Sequence, residues 1–314
     1  MIDQYNRKIS YLRLSVTERC QLRCAYCRAG EDLCPKEDEL SAEKMIEIVC
    51  ACSELGIDRV RLTGGEPLLR RDLDQIIKGI RAIPAIKDIS LTTNAQDLAA
   101  QAAILKTAGL DRVNVSLDSL DKEKFKLLTG GDVEKVLEGI KVAISCGLLP
   151  VKLNAVLVKG VNDNEIGDFI ALAKDMPIDI RFIEYMEIGV NPMAAAKRVS
   201  SDLILSQFPQ LVKIPPRYFG QPSSDYQIPG YKGRIGLISP ISHQFCGDCN
   251  RIRIMSDGTL RPCLGRSDEV DLLPAIKTGY ESLKETIRKA IYRKPCGHEF
   301  GKMRLERGMS HIGG

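Results

Sequence analysis

Tryptophan is absent from the 314-residue sequence, and aromatic residues make up only 5% of it. That is too few for the stacking platforms that hold single-stranded nucleic acids. An excess of either charge is lacking as well: 45 basic and 41 acidic residues leave a net +4 at pH 7. The balance gives no sign of a nucleic-acid coat, so any anion site must be local. No apolar run approaches the ~20 residues that span a bilayer. Met1-Ile-Asp-Gln-Tyr-Asn-Arg-Lys8 lacks the apolar segment of a secretory signal. With 11 cysteines and no such signal, the expectation is a reducing, cytoplasmic compartment with metal sites rather than disulfides. Neither a membrane nor a nucleic acid is expected as a partner.

Cysteine carries the strongest signal. Directly after the apolar run Tyr11-Leu-Arg-Leu14, the stretch Ser15 to Cys27 places Cys20, Cys24 and Cys27 within eight residues. Three thiolates spaced x3 then x2 suit one face of an iron–sulfur cube, whose fourth iron stays open to a substrate. Structural zinc wants four closed ligands, and no histidine stands nearby. Zinc and a disulfide are the bland alternatives.

The following chain alternates strand and helix. Ser41 to Leu55 has helical apolar spacing and stops at Gly56; Arg59 to Thr63 reads as a buried strand ending in Gly64-Gly65-Glu66-Pro67. Asp72 is expected to cap a helix carrying Leu73, Ile76, Ile77 and Ile80. Strands are expected at Ile89–Thr93, Arg112–Ser116, Val151–Val158 and Arg181–Glu184, separated by helices over Leu98–Ala108, through Val136 to Ile144, and over Asn164–Lys174. Cys50, Cys52 and Cys146 belong to this framework and read as structural. Six such units imply a parallel α/β sheet closed or partly closed into a barrel, with a doubly wound open sheet as the competing topology. Glycine-rich and polar segments fall at the expected strand ends, where such barrels keep their chemistry.

From Gly189 to about Gln244 prolines interrupt the pattern, which reads as a connection into a second region. That region carries Cys246, Cys249 and Cys263, again three thiolates. Zinc completed by Cys296 or His243 is one reading and a second open cluster the sharper one. Arg251 and Arg253 lie between those cysteines at i and i+2, on one side of an expected strand. Usually such a pair is a solvated face; beside a metal loop it suits phosphate oxygens.

C-x3-C-x2-C with Tyr26 before the third cysteine resembles the signature of the radical S-adenosylmethionine (SAM) enzymes. More narrowly, the chain resembles the GTP 3′,8-cyclase family of molybdenum-cofactor biosynthesis, over nearly its whole length. The motifs are Arg13 ahead of the first cysteine, Arg61-Leu-Thr-Gly-Gly-Glu-Pro67, Asn114-Val-Ser-Leu-Asp-Ser119, Lys152-Leu-Asn-Ala-Val156, Arg181-Phe-Ile-Glu-Tyr-Met186, Phe245-Cys-Gly-Asp-Cys-Asn-Arg-Ile-Arg253 and Ile312-Gly-Gly314.

The resemblance implies a partial (β/α)6 TIM-like barrel over residues 1–188 and a smaller C-terminal region over 189–314. It implies two 4Fe-4S clusters, one on Cys20, Cys24 and Cys27, the other on Cys246, Cys249 and Cys263. SAM would contact Tyr26, Gly65, Ser116 and Met186, and GTP would contact Arg13, Arg61, Thr92, Lys152, Arg251, Ile252 and Arg253. In the family a SAM-derived radical takes hydrogen from ribose carbon 3′, which then bonds to guanine carbon 8, and the terminal Gly313-Gly314 acts at the catalytic centre. By the same resemblance the protein is a lyase, needs a reducing electron donor, passes its product to cyclic pyranopterin monophosphate synthase and is compatible with a homodimer. Two departures from the family pattern are Ala95, after Thr92-Thr93-Asn94, and Arg28-Ala29, after the third cysteine. The competing readings are a radical SAM peptide-modifying enzyme with an auxiliary cluster, and a metal-stabilised binding module without catalysis.

Overall fold

Strand β1 (Tyr11–Ser15) sits well inside the sheet, with a parallel neighbour on each side. Leu12 and Leu14 are fully buried toward the helices, and strand alternation turns Tyr11, Arg13 and Ser15 to the opposite, inner face. The computed structural model describes residues 1–24, 27, 39–186, 188, 197–300 and 309–313. After β1 come β2 (Arg59–Thr63), β3 (Asp88–Thr93), β4 (Arg112–Ser116), β5 (Val151–Leu157) and β6 (Ile178–Glu184), each parallel to the last.

The returns are helical: α1 (Ala42–Glu54), α2 (Leu73–Arg81), α3 (Leu98–Ala108), α4 (Lys122–Thr129), α5 (Val133–Ser145) and α6 (Ile166–Asp175). Ser41, Asp121 and Asp132 cap α1, α4 and α5 by accepting from the first-turn amides of Lys44, Lys124 and Glu134. Asp72 does not cap α2 through its side chain. Its carboxylate is drawn away by Arg70, 2.8 Å from the guanidinium, whose charge-assisted bond outcompetes an amide. Leu73, Ile76, Ile77 and Ile80 nevertheless form the buried stripe expected of α2. Each such side chain contributes about 1.5–3 kcal/mol on burial, and Ile77→Ala should cost roughly 2–5 kcal/mol.

The C-terminal part adds α7 (Ser201–Gln207), β7 (Val212–Ile214), β8 (Ser224–Gln227), β9 (Arg234–Ile238), β10 (Arg251–Ile254), β11 (Thr259–Arg261), β12 (Val270–Asp271), α8 (Leu273–Thr278), α9 (Tyr280–Tyr292) and α10 (Met309–Ile312). The sheet runs β12-β11-β10-β1-β2-β3-β4-β5-β6-β9-β8-β7. β10 lies parallel to β1 and β9 parallel to β6, extending the parallel sheet at both ends, with antiparallel strands outside them. Among the described residues no ladder joins β12 to β7, so the barrel is partial. The prolines that suggested an irregular connection punctuate it instead. Pro209, Pro215, Pro216, Pro222, Pro229 and Pro240 all fall between α7, β7, β8 and β9 or just after them, where a missing amide costs no ladder bond.

Candidate active site

The loop after β1 is laid against the turn after β2. The Val16 amide donates to the Thr63 carbonyl at 2.8 Å, Gly65 to Thr17 at 2.8 Å and Glu66 to Arg19 at 2.7 Å. A Cβ on Gly65 would collide with the carbonyl oxygens of Glu18 and Arg19, so only glycine allows this approach. Glu66 is fully buried and joins the ends of β2 and β3, accepting from the Asn94 amide at 2.6 Å, the Thr93 hydroxyl at 2.7 Å and the Leu68 amide at 3.0 Å. Burial pushes its carboxyl up to about 7, against the pull of those donors. Asn94 Nδ2 in turn points at Cys20 Sγ, 3.7 Å away.

Cys20, Cys24 and Cys27 line one wall of a cavity of about 280 Å³, which Gly65, Ser116 and Met186 also line. Burial, then Asp118 and the other two cysteines, holds the Cys24 thiol well above its ordinary range. Three thiols that oppose one another's ionisation in this way suit a cationic cluster, which would relieve that repulsion.

Cys246, Cys249 and Cys263 line the same cavity. Arg251 Nη2 lies 3.4 Å from Cys249 Sγ. Burial pushes the Cys249 thiol up, but Arg251 and Lys294 outweigh it and bring it down to about 6. A thiolate is the form a metal takes; in the same triad burial pushes the Cys263 thiol up, so Cys249 is the member readied to ligate. Among the described residues no three His, Cys, Asp or Glu side chains close on a single metal ion; what unites each triad is the wall it shares.

Between the triads runs a row of cations. Arg253 on β10, Arg13 on β1 and Arg61 on β2 are register partners across three adjacent parallel strands, and all three line the cavity together with Arg251. Among the described residues Arg13 Nε is buried without a hydrogen-bond partner, as are Thr92 Oγ1 and Asn154 Oδ1. Burial first, then Arg253 and Arg61, drags the Arg13 guanidinium well below its ordinary range. Like charges held so close need an anion.

Two of the expected GTP residues stand outside the cavity lining. Lys152 is buried deeper on β5, with Nζ 3.9 Å from Asp179 and 5.7 Å from the centre of the Tyr218 ring. Burial, reinforced by Arg181 and Arg112 and only partly offset by Asp179, lowers its ammonium to about 6. Ile252 packs into the main core on the far face of β10, leaving its backbone as what it can offer a ligand.

The tail reaches this site. Arg253 Nη1 donates to the Gly313 carbonyl at 3.0 Å, and Gly313, at φ 65°, lies over Ser15 and Thr63 at the ends of β1 and β2. Ile312 is buried beside Ile188 and Met255, with Met186 and Phe300 packed against them. Tyr26, Arg28, Ala29, Cys34 and Gly314 lie outside the described residues. Ala95 adopts φ 60°, so this turn does require the left-handed conformation that glycine takes at less cost. Asp118 and Asn154, present in the motifs but given no role by the sequence reading, and Lys294, which it did not single out, all line the cavity; alternation along β5 from Lys152 could have found Asn154.

Comparison with known proteins shows the family. Residues 14–173 match the family model of the radical SAM superfamily, and residues 178–300 match that of Molybdenum Cofactor Synthesis C. A GTP 3′,8-cyclase of Alkaliphilus oremlandii is 47% identical over 321 residues, covering 100% of both chains. One from Peptoclostridium acidaminophilum is 45% identical, covering 100% of this chain and 98% of its own. Among solved structures, Streptococcus suis SuiB bound to S-adenosylmethionine aligns with a TM-score of 0.61 at 16% identity, over 93% of this chain and 66% of SuiB. This last likeness is one of fold.

Proposed function

The chain belongs to the radical SAM superfamily and, within it, to the GTP 3′,8-cyclase family, and from that premise we propose that it rearranges GTP to 3′,8-cyclo-7,8-dihydro-GTP in the first step of molybdenum-cofactor biosynthesis. Cys20, Cys24 and Cys27 hold a 4Fe-4S cluster, and Cys246, Cys249 and Cys263 a second. With SAM bound, the first cluster would supply the single electron that cleaves SAM, so that the SAM-derived radical can take hydrogen from ribose carbon 3′. Gly65, Ser116 and Met186, with Tyr26, position SAM. Arg13, Arg61, Arg251 and Arg253 hold the triphosphate, Thr92 and the Ile252 backbone contact the nucleotide, and Lys152, whose ammonium burial lowers to about 6, regains its proton against the bound anion. Gly313 and Gly314 act at the reacting end of the substrate. Residues 1–188 thus serve SAM cleavage, and 189–314 bring the second cluster, the arginine pair and the tail. As a lyase of this class the enzyme takes its electron from an external donor, hands its product to cyclic pyranopterin monophosphate synthase, works in the cytoplasm and is compatible with a homodimer.

The observation that carries this reading is the arginine row between two cysteine triads in one cavity, with Arg13 Nε buried and, among the described residues, unpartnered. A polyphosphate satisfies it with several charge-assisted bonds from different strands. A peptide substrate leaves it unanswered. Anaerobically reconstituted protein should carry about eight irons and eight acid-labile sulfides per chain. Zinc with negligible sulfide, or about four irons, would overturn the two-cluster assignment.

A further inference from the structure

Two buried cations stand against the second cysteine triad without belonging to the arginine row. Arg7, 7% exposed, precedes β1. Its Nε donates to Asp3 Oδ2 at 2.7 Å, which aims the guanidinium. Nη1 donates to the carbonyls of Cys246 and Cys296, both at 3.0 Å, and Nη2 to that of Pro295 at 2.6 Å and of Lys294 at 3.4 Å. Lys294, 1% exposed, lines the cavity with the cysteines, and its Nζ donates to the Pro262 carbonyl at 2.5 Å, next to Cys263.

Linked together, these bonds run from the N-terminal segment through Arg7 to the Cys246 peptide, and through the Lys294 peptide and side chain to Pro262. The two ends of a triad that lie far apart in sequence are thereby tied by side chains contributed from elsewhere. A planar five-donor fork is what can serve several carbonyls at once. Cys296 takes part through its carbonyl while its side chain belongs to an exposed residue, so the 294–296 segment serves the site through backbone and ammonium rather than as a fourth thiolate.

Charge completes the argument. Among the described residues Lys294 forms no ion pair with a carboxylate, its Nζ being given to Pro262, and burying an ammonium without a counter-charge is costly. Three thiolates around a 4Fe-4S core carry net negative charge, which supplies one. Groups outside the ligand set commonly orient metal ligands and tune the metal in this way.

We propose that Arg7 and Lys294 brace the second cluster: Arg7 is a positioning residue that fixes the Cys246 peptide against segment 294–296, and Lys294 fixes the Pro262 carbonyl and sets a buried positive charge against the cluster. The brace rests on the reading of Cys246, Cys249 and Cys263 as cluster ligands. Removing the charge of Lys294 disfavours the more negative, reduced cluster and moves its midpoint potential downward.

The test reconstitutes wild type, Arg7→Met and Lys294→Met anaerobically side by side. Arg7→Met is expected to fall from about eight irons per chain to about four, while SAM still perturbs the electron paramagnetic resonance signal of the first cluster. Lys294→Met, titrated in a Cys24→Ala background that isolates the second cluster, is expected to show a more negative midpoint potential. Full iron in Arg7→Met overturns the positioning role, and an unchanged potential in Lys294→Met overturns the electrostatic one. If Arg7→Met does not fold, Arg7→Lys, which keeps the charge and the Asp3 pair but loses the fork, decides by the same iron count. A wild type with only about four irons would instead sink the cluster reading on which the brace depends.

Discussion

Replacing Arg13 by methionine should stabilise the ligand-free protein and weaken its complex with GTP. Arg13 is the middle of the row, flanked in register by Arg253 and Arg61, and Nε has no partner among the described residues. Neighbouring strands lie about 4.8 Å apart; guanidinium charges ~6 Å apart at an effective dielectric near 20 repel by roughly 3 kcal/mol. Counterions drawn into the cavity screen part of this, and we expect a net gain of about 1 kcal/mol, a rise in Tm of about 2 °C. With a triphosphate bound the sign reverses, because a charge-assisted contact of ~1.5–3 kcal/mol is lost, or roughly ten- to hundredfold in Kd. At a GTP concentration of about 100 times the wild-type Kd, mass action stabilises the wild type by about 2.7 kcal/mol but the variant by only about 0.4–1.4 kcal/mol. Calorimetric titration gives the affinities, and thermal unfolding with and without GTP gives the stabilities. A variant that binds GTP like the wild type, or that melts lower without it, would refute the reasoning.

Cys24→Ala should abolish SAM cleavage while retaining about four irons at the second triad, checked by deoxyadenosine release and iron analysis. For Lys152, an ammonium lowered by burial to about 6 means that above this pH the folded chain carries fewer protons than the unfolded one. Its contribution therefore makes stability rise with pH, from about 6 to the ordinary lysine range; Lys152→Met should lose that slope in urea melts at about pH 7 and 9. Gly313→Ala places a Cβ 2.8 Å from Thr63 Cγ2 at φ 65°, and should strongly reduce cyclised product by chromatography while leaving cluster content and most GTP affinity intact. Wild-type yield from it would make the tail a mere terminus.

Much of this was legible in order along the chain. β1 to β6 announce themselves as apolar runs between helices of period 3.6, because local burial alone decides them. β9 was lost in the proline-rich stretch: Ile235 and Leu237 flank Gly236, too short a signal until pairing with β6 gives it a partner. That β10 would lie parallel against β1, and so align Arg253 with Arg13, is a contact between distant parts of the chain that no periodicity encodes. The cysteine triads and the arginine pair were visible because spacing carries their chemistry. Arg7 and Lys294 were not, since an isolated basic residue in a sequence reads as solvated surface, and only the carbonyls gathered around it give it work. Ala95 posed a question that the sequence framed and the backbone answered: the turn does sit at positive φ.

The most direct test of the cyclase reading is to incubate the anaerobically reconstituted enzyme with SAM, a strong reductant and GTP deuterated at ribose carbon 3′. The account predicts deuterium in the 5′-deoxyadenosine released, together with 3′,8-cyclo-7,8-dihydro-GTP. Deoxyadenosine formed without deuterium, and GTP recovered unchanged beside it, would contradict it.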